Sequence, residues 1–314
     1  MAFTRIEKTI LKIIAVMVLC SLALIFIKDM PIRIDPFVVH LVAAVIFLSG
    51  GQYYRVYRSE EKLSAICTFS GLYVLFAPLC ILYNTSLLPL NTSPFDTAFV
   101  EIDALFGYSW PVWSAWLAQY PALSAVLKLV YALAPTLSFL VIAYLGFKSD
   151  FTRLHTLAFT NIIAAIVTIS IWVFLPTAGP GGVFVLPVEV ESALKLTATS
   201  EYGAKVTDMI VNGIGDRWDI SVTGLIGFPS FHITMGFAPL LAVWHQPTLR
   251  IVFLILFLPM IPATLIHGAH HLMDVIGGMV CTLAAWWLAA KYCASGEQTA
   301  PRQVLAPDNV STAG

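Results

Sequence analysis

The sequence predicts an all-α fold, a polytopic bundle of transmembrane helices, on three observations. Only 11% of its 314 residues are charged, against about 25% in soluble domains. Hydrophobic residues make up 59% of the chain, and its mean hydropathy is +0.85. The apolar residues gather into eight runs of near-spanning length. A chain so poor in charge cannot cover a globule with polar surface, so lipid must solvate much of it. The net charge of -1 leaves no basic excess for nucleic acid. The five cysteines, Cys20, Cys67, Cys80, Cys281 and Cys293, lie in or beside apolar runs. They show neither disulfide nor zinc spacing and read as small core residues.

A helix needs about 20 mainly apolar residues to cross a bilayer. The runs are roughly 9–27, 37–54, 64–88, 121–147, 154–175, 229–246, 250–268 and 271–292, of which the second and sixth are shortest. The first follows Arg5, Lys8 and Lys12 but has no small-residue cleavage site after it, so it is read as an uncleaved span. Residues 94–118 carry Asp96, Glu101 and Asp103 among aromatics. They predict a short interfacial helix or re-entrant loop, with Trp110, Trp113 and Trp116 at headgroup depth. Lys128, inside the fourth run, reads as snorkelling to the interface. The polar tail from Ala294 is expected to be disordered and cytoplasmic. The organisation expected is a two-span extension over 1–60, a six-helix domain over 61–293 with a long outer loop at 176–228, and the tail 294–314.

Lysines and arginines in the short loops set the orientation. With the N-terminus inside, Arg5, Lys8, Lys12, Arg55, Arg58, Lys62, Lys148, Arg153, Arg250, Lys291 and Arg302 are cytoplasmic. The outer short loops hold only Lys28 and Arg33. This bias predicts an even number of spans in an inner or plasma membrane. It places three segments on the outer face: Phe174–Gly182, Gly227–His232 and His267–Gly278.

Those segments hold the unusual residues. His270 and Asp274 are four apart, so a helix stacks them on one face. A carboxylate accepting from imidazole Nδ1 leaves the Nε2 lone pair free, which makes the histidine a nucleophile or a base. His271, three residues from Asp274, competes for it. Pro229 and Ser230 suit the first turn of the sixth span, whose free N–H groups and positive dipole end form an anion cradle. His232 follows in that turn and suits a general acid. Taken singly, each has a plain alternative: a packed histidine, a structural hydrogen bond, or two ligands of a metal site. Three ionisable groups at one membrane depth, from separate helices, favour a functional site.

These residues resemble the type-two phosphatidate phosphatase superfamily of lipid phosphatases and phosphotransferases. Pro229-Ser230-Phe231-His232 matches its Pro-Ser-x-His motif, and His270 to Asp274 matches the His-x-x-x-Asp that ends its third. The wider pattern, with Asp103 to Trp110 and Leu175-Pro176-Thr177-Ala178, is similar to the branch of the fungal inositol phosphorylceramide synthases and their bacterial relatives. The resemblance covers roughly residues 96–290. It implies a ping-pong reaction on a lipid-linked phosphate ester without metal or cofactor. His270 would be the nucleophile, Asp274 its orienting partner and His232 the acid. Water or an acceptor hydroxyl would then take the phosphoryl group. The branch resemblance leans toward inositol phosphate passed to a lipid acceptor.

Two departures stand out. Leu175 to Pro180 has no cation where the common phosphatases have a lysine and an Arg-Pro pair, and Ala263 and Thr264 stand where Ser-Arg is usual. A buried phosphate needs compensating charge. Lys195, Lys205 and Arg217 are the cations of the outer loop, and Arg217, nearest Pro229, is expected to bind the phosphate beside Ser230. The shortage of cations also suits a phosphodiester, which carries less charge. Hydrolase and transferase are not separated. The rival reading is a non-catalytic transporter or scaffold with a histidine metal or proton site, although no broken-helix repeats support a transporter.

Overall fold

The computed structural model describes residues 3–31, 35–215 and 224–297, and these residues form helices and loops without a strand. Six helices are long and apolar enough to cross a membrane. They are α1 (Arg5–Ile27), α3 (Glu61–Ser86), α6 (Pro121–Phe147), α7 (Phe151–Phe174), α11 (Pro247–His267) and α12 (Leu272–Glu297). The two shortest runs give α2 (Val38–Tyr53) and α10 (Phe231–Val243), of 16 and 13 residues. At 1.5 Å per residue, α10 is about 20 Å long, less than the roughly 30 Å hydrocarbon core. Large apolar side chains such as Val16, Leu19, Leu129, Leu140, Ile255 and Val280 are exposed on the spans, as lipid-facing positions should be.

The core gathers on α7. In α7, 61% of the apolar window is buried, against 28–44% in the other five spans. Against α7 pack α6, α10 and α12, with α3 on its flank. The buried face of α7 mixes large residues, Leu154, Leu157, Ile169 and Trp172, with small ones, Ala158, Ala164, Ala165, Thr160 and Thr168, and the small ones let helices approach closely in lipid.

The helix ends sort by charge. Arg5 and Lys8 start α1 beside Tyr292 near the end of α12, and Glu7 of α1 meets Arg55 beyond α2. The other end is capped by four short helices. These are α4 (Asp96–Leu105), α5 (Trp110–Leu117), α8 (Val188–Leu194) and α9 (Ser200–Asn212). Lys28, at the end of α1, donates to the carbonyls of Ser86, Leu87 and Leu88 at the end of α3 (3.1, 2.8 and 2.8 Å), acceptors a helix terminus leaves unfilled.

Three expectations are corrected. Residues 94–118 form two helices, and of their three tryptophans only Trp113 and Trp116 are exposed; Trp110 is buried, because its indole N–H donates inward to the Ile266 carbonyl at 3.2 Å. Pro229 and Ser230 precede α10 instead of opening it, with Ser230 as the N-cap. The tail does not leave the helix at Ala294, since α12 continues to Glu297; residues 298–314 lie outside the described residues.

Candidate active site

The end of α11 leaves its last carbonyls without helical partners. Other segments supply donors to them. Tyr108 Oη donates to the Leu265 carbonyl (3.1 Å), Trp110 Nε1 to Ile266, and the Ala198 backbone N–H to His267 (3.0 Å). The turn from α11 to α12 is thereby held from outside. Within it Ala269 adopts a left-handed φ of 48°, a conformation that disfavours a side chain and persists only when its surroundings impose it.

That turn presents His270 and His271 in opposite roles. His270 Nδ1 lies 2.9 Å from Asp274 Oδ2, and both residues are buried. The carboxylate accepts the Nδ1 proton, so Nε2 carries the lone pair. Nε2 looks toward Ser230 Oγ at 3.4 Å. His271 reaches Asp274 Oδ2 only through its backbone N–H, at 3.0 Å. Its ring is occupied elsewhere: Nδ1 lies 2.7 Å from Asp103 Oδ2 and Nε2 lies 3.1 Å from Asp96 Oδ1. Two carboxylates facing two ring nitrogens require both to carry protons. Burial pulls the His271 pKa down, but the bonds to Asp103 and Asp96 and the charges of Asp274 and Asp96 outweigh it, raising it to about 9.

The same carboxylates tie in the loop after α7. Asp96 accepts from the backbone N–H groups of Ala178 (2.9 Å) and Gly179 (2.8 Å), and Asp103 from Leu272 N–H (2.9 Å). Thr177 then carries the frame to the segment before α10: its carbonyl accepts from Gly227 N–H (3.3 Å) and its hydroxyl from Phe228 N–H (2.7 Å). Ser230 N–H donates to the Asp274 carbonyl at 2.9 Å. A Cβ at Gly278 would stand 2.4 Å from the Ser230 carbonyl oxygen, so only glycine lets α12 approach this segment so closely.

His232, the second residue of α10, is placed by α6. Pro135 has no N–H, so the Tyr131 carbonyl four residues earlier loses its helical donor. His232 Nε2 takes that place, donating to Tyr131 O at 2.8 Å, while its ring stacks on the Tyr131 ring at 3.7 Å and 4°. His232 therefore offers Nδ1, not Nε2, to a reacting group. Tyr131 in turn borders His270: a Cβ on Gly268 would lie 2.7 Å from the Tyr131 ring and 3.0 Å from the His270 ring. Tyr131 is ten residues into α6, so the site sits about 15 Å below the start of that span.

His270, Asp274, Ser230 and His232 thus meet at one recessed place below the start of α6, joined through Tyr131 and Gly268. Arg217 lies outside the described residues. Lys205 pairs with Glu201 at 3.2 Å on the surface. Thr264, at the position where the common phosphatases have an arginine, is buried, and its hydroxyl has no partner among the described residues. Among the described residues no group of three or more His, Cys, Asp or Glu is arranged to hold a metal. Sequence reading missed the roles of Tyr131 and of the Asp96–His271–Asp103 cluster. Pro135 was the available signal for the first, since a proline in a helix announces a free carbonyl four residues earlier.

Compared with known families, residues 97–288, more than half of the chain, match the model of the PAP2 superfamily. No curated protein and no solved structure matches.

Proposed function

The chain belongs to the PAP2 superfamily, and on that basis we propose that it cleaves or transfers a lipid-linked phosphate ester through a covalent histidine intermediate. The observation that carries this reading is the His270–Asp274 bond, which holds Nδ1 and leaves the Nε2 lone pair directed into the recess. In the first step His270 Nε2 attacks phosphorus, an N–P bond forms and the P–O bond to the leaving alcohol breaks. His232, protonated at Nδ1 and anchored through Nε2–H to Tyr131, gives that proton to the leaving oxygen. In the second step water or an acceptor hydroxyl attacks the phosphorus of the intermediate, loses its proton to His232, and releases His270. Asp274 supports the positive charge that His270 develops. The N-terminal N–H groups of α10 face the phosphate oxygens.

The proposed reaction uses no metal or cofactor. The sequence likeness to inositol phosphorylceramide synthases favours transfer of a head-group phosphate, such as inositol phosphate, onto a lipid hydroxyl. The cation-rich helix ends lie opposite the recess, which supports a non-cytoplasmic site in an inner or plasma membrane. The rival, a histidine metal or proton site in a transporter or scaffold, would have to use His270 Nε2 and His232 Nδ1, because His271 has no free lone pair.

Trapping tests the reading. Brief incubation of purified protein with phosphorus-labelled lipid should give an acid-labile, base-stable label that maps to His270, and EDTA should not reduce it. Label on His232 would exchange the roles of the two histidines, and turnover without any labelled histidine would remove the covalent step.

A further inference from the structure

The recess needs a cation for its phosphate. His271 spends both ring N–H groups on Asp103 and Asp96. Lys28 caps α3, and Lys205 pairs with Glu201. Lys128 is placed differently. On α6, Ser124, Lys128 and Tyr131 stand four and three residues apart, so they share one face. Ser124 Oγ lies 3.4 Å from His267 Nε2 at the end of α11. Tyr131 holds His232 and borders His270 across Gly268. Lys128 stands between these two contacts, and its charge acts on His267.

Its side chain is half-buried, and its ammonium donates to the Lys195 carbonyl. Lys195 caps α8 in a left-handed conformation (φ 50°), with its own side chain exposed. A neutral carbonyl solvates the ammonium without cancelling its charge. The sequence reads Lys128 as a snorkelling residue, and its direction toward the near end of α6 is that of a snorkel. The ammonium therefore lies on the outer side of Tyr131, one helical turn from it along α6.

We propose that Lys128 meets the phosphate charge of the substrate, exchanging the Lys195 carbonyl for a phosphate oxygen, and that this ammonium favours a singly charged phosphodiester lipid over a dianionic monoester. The assignment rests on the enzymatic reading above. One ammonium balances the one charge of a diester. A monoester brings a second charge into a recess already bordered by the Asp274 carboxylate, whose Oδ1 has no partner among the described residues.

The test compares steady-state turnover of phosphatidylinositol and of phosphatidate by the full-length protein in mixed micelles, with label at His270 read in parallel. The wild type should favour the diester. Lys128→Gln should raise KM for the diester at least tenfold, leave His270 labelling at saturating lipid near wild type, and lose most of the dependence of KM on ionic strength. Lys128→Arg should restore most of the affinity, because charge is what the position supplies. Lys128→Met, apolar at a membrane depth that tolerates it, guards against a folding defect in the glutamine variant and should raise KM equally. An active wild type whose KM is unchanged in both neutral variants overturns the assignment, as does a preference for phosphatidate. Loss on Arg217→Ala alone would move the role to Arg217. A wild type that turns over neither ester removes the enzymatic reading, and this assignment with it.

Discussion

At one end of the bundle Glu7 and Arg55 form a buried ion pair, and at the other Asp96, Asp103 and Asp274 surround His271. The first group is closed on itself. Arg55 donates to Glu7 and to Ser64 Oγ (3.2 Å), Ser64 donates to the Gly51 carbonyl, and Glu7 caps its own helix at Thr4 N–H (2.7 Å). The second group is strung between segments. Its carboxylates hold α4, the loop after α7 and the α11–α12 turn together, and its last member, Asp274, also orients His270. Both groups satisfy the rule that a buried charge must be paired. Only the second hands its order on to an imidazole whose other nitrogen meets no carboxylate, only the Ser230 hydroxyl.

Replacing the residues at which the second group opens should have the largest effect. His270→Ala should lower turnover by about 10³-fold or more and abolish the label, with the thermal midpoint nearly unchanged. Asp274→Asn should keep the fold and lose about 10²–10⁴-fold in rate, because an amide no longer fixes the imidazole tautomer. If the two variants lost stability rather than rate, the site end would be as purely structural as the Glu7–Arg55 end.

Asp103→Asn removes one partner of a buried cation and should cost about 3–5 kcal/mol of stability, read from thermal or denaturant unfolding in detergent. The pH dependence gives a sharper measure. The folded His271 pKa, about 9, lies above its ordinary 6.5. The protonated cluster therefore stabilises the fold fully below about 6.5, and that contribution is lost as pH rises through about 9. The wild type should lose stability and activity together across that alkaline window. In Asp103→Asn the loss should begin at lower pH. An alkaline limb that Asp103→Asn leaves in place would mean another group titrates there.

A smaller effect is expected on α6. Pro135→Ala supplies an N–H to the Tyr131 carbonyl and competes with His232. Turnover should fall about tenfold, most for esters with poor leaving groups. An unchanged dependence on the leaving group would show that the carbonyl does not anchor the acid.

The least effect belongs to the closed pair. Glu7→Leu with Arg55→Met should be neutral or stabilising by about 1–4 kcal/mol, whereas either change alone leaves a bare charge and should destabilise. Activity should stay at the wild-type level in the double variant. A double variant that folds but loses turnover would mean the two ends are coupled through the spans.

Much of the site was legible locally. The four-residue spacing of His270 and Asp274 pointed to their bond, but the structure makes it from the α11–α12 turn, with His270 two residues before α12, and not along one helix face. Competition from His271 was also legible, but where its ring would go was not. His271 turns away because carboxylates 168 and 175 residues distant claim both ring nitrogens. Trp110 was expected at the interface with its neighbours, and the Ile266 carbonyl drew it inward.

By itself the sequence determined the all-helical membrane bundle, the apolar runs that become its main helices, the gathering of cations at one end and the pairing of His270 with Asp274. Composition, apolar run length and helical spacing carry those, and each acts within a few turns of the chain. Only the tertiary structure decided where the His232 proton sits, which histidine is a fixed cation and which carbonyl holds the Lys128 ammonium. Those outcomes turn on acceptors left over where helices end or a proline interrupts them, such as the Tyr131 carbonyl 101 residues from His232. Which donor fills a leftover acceptor is settled by packing between distant segments, and no local period encodes it.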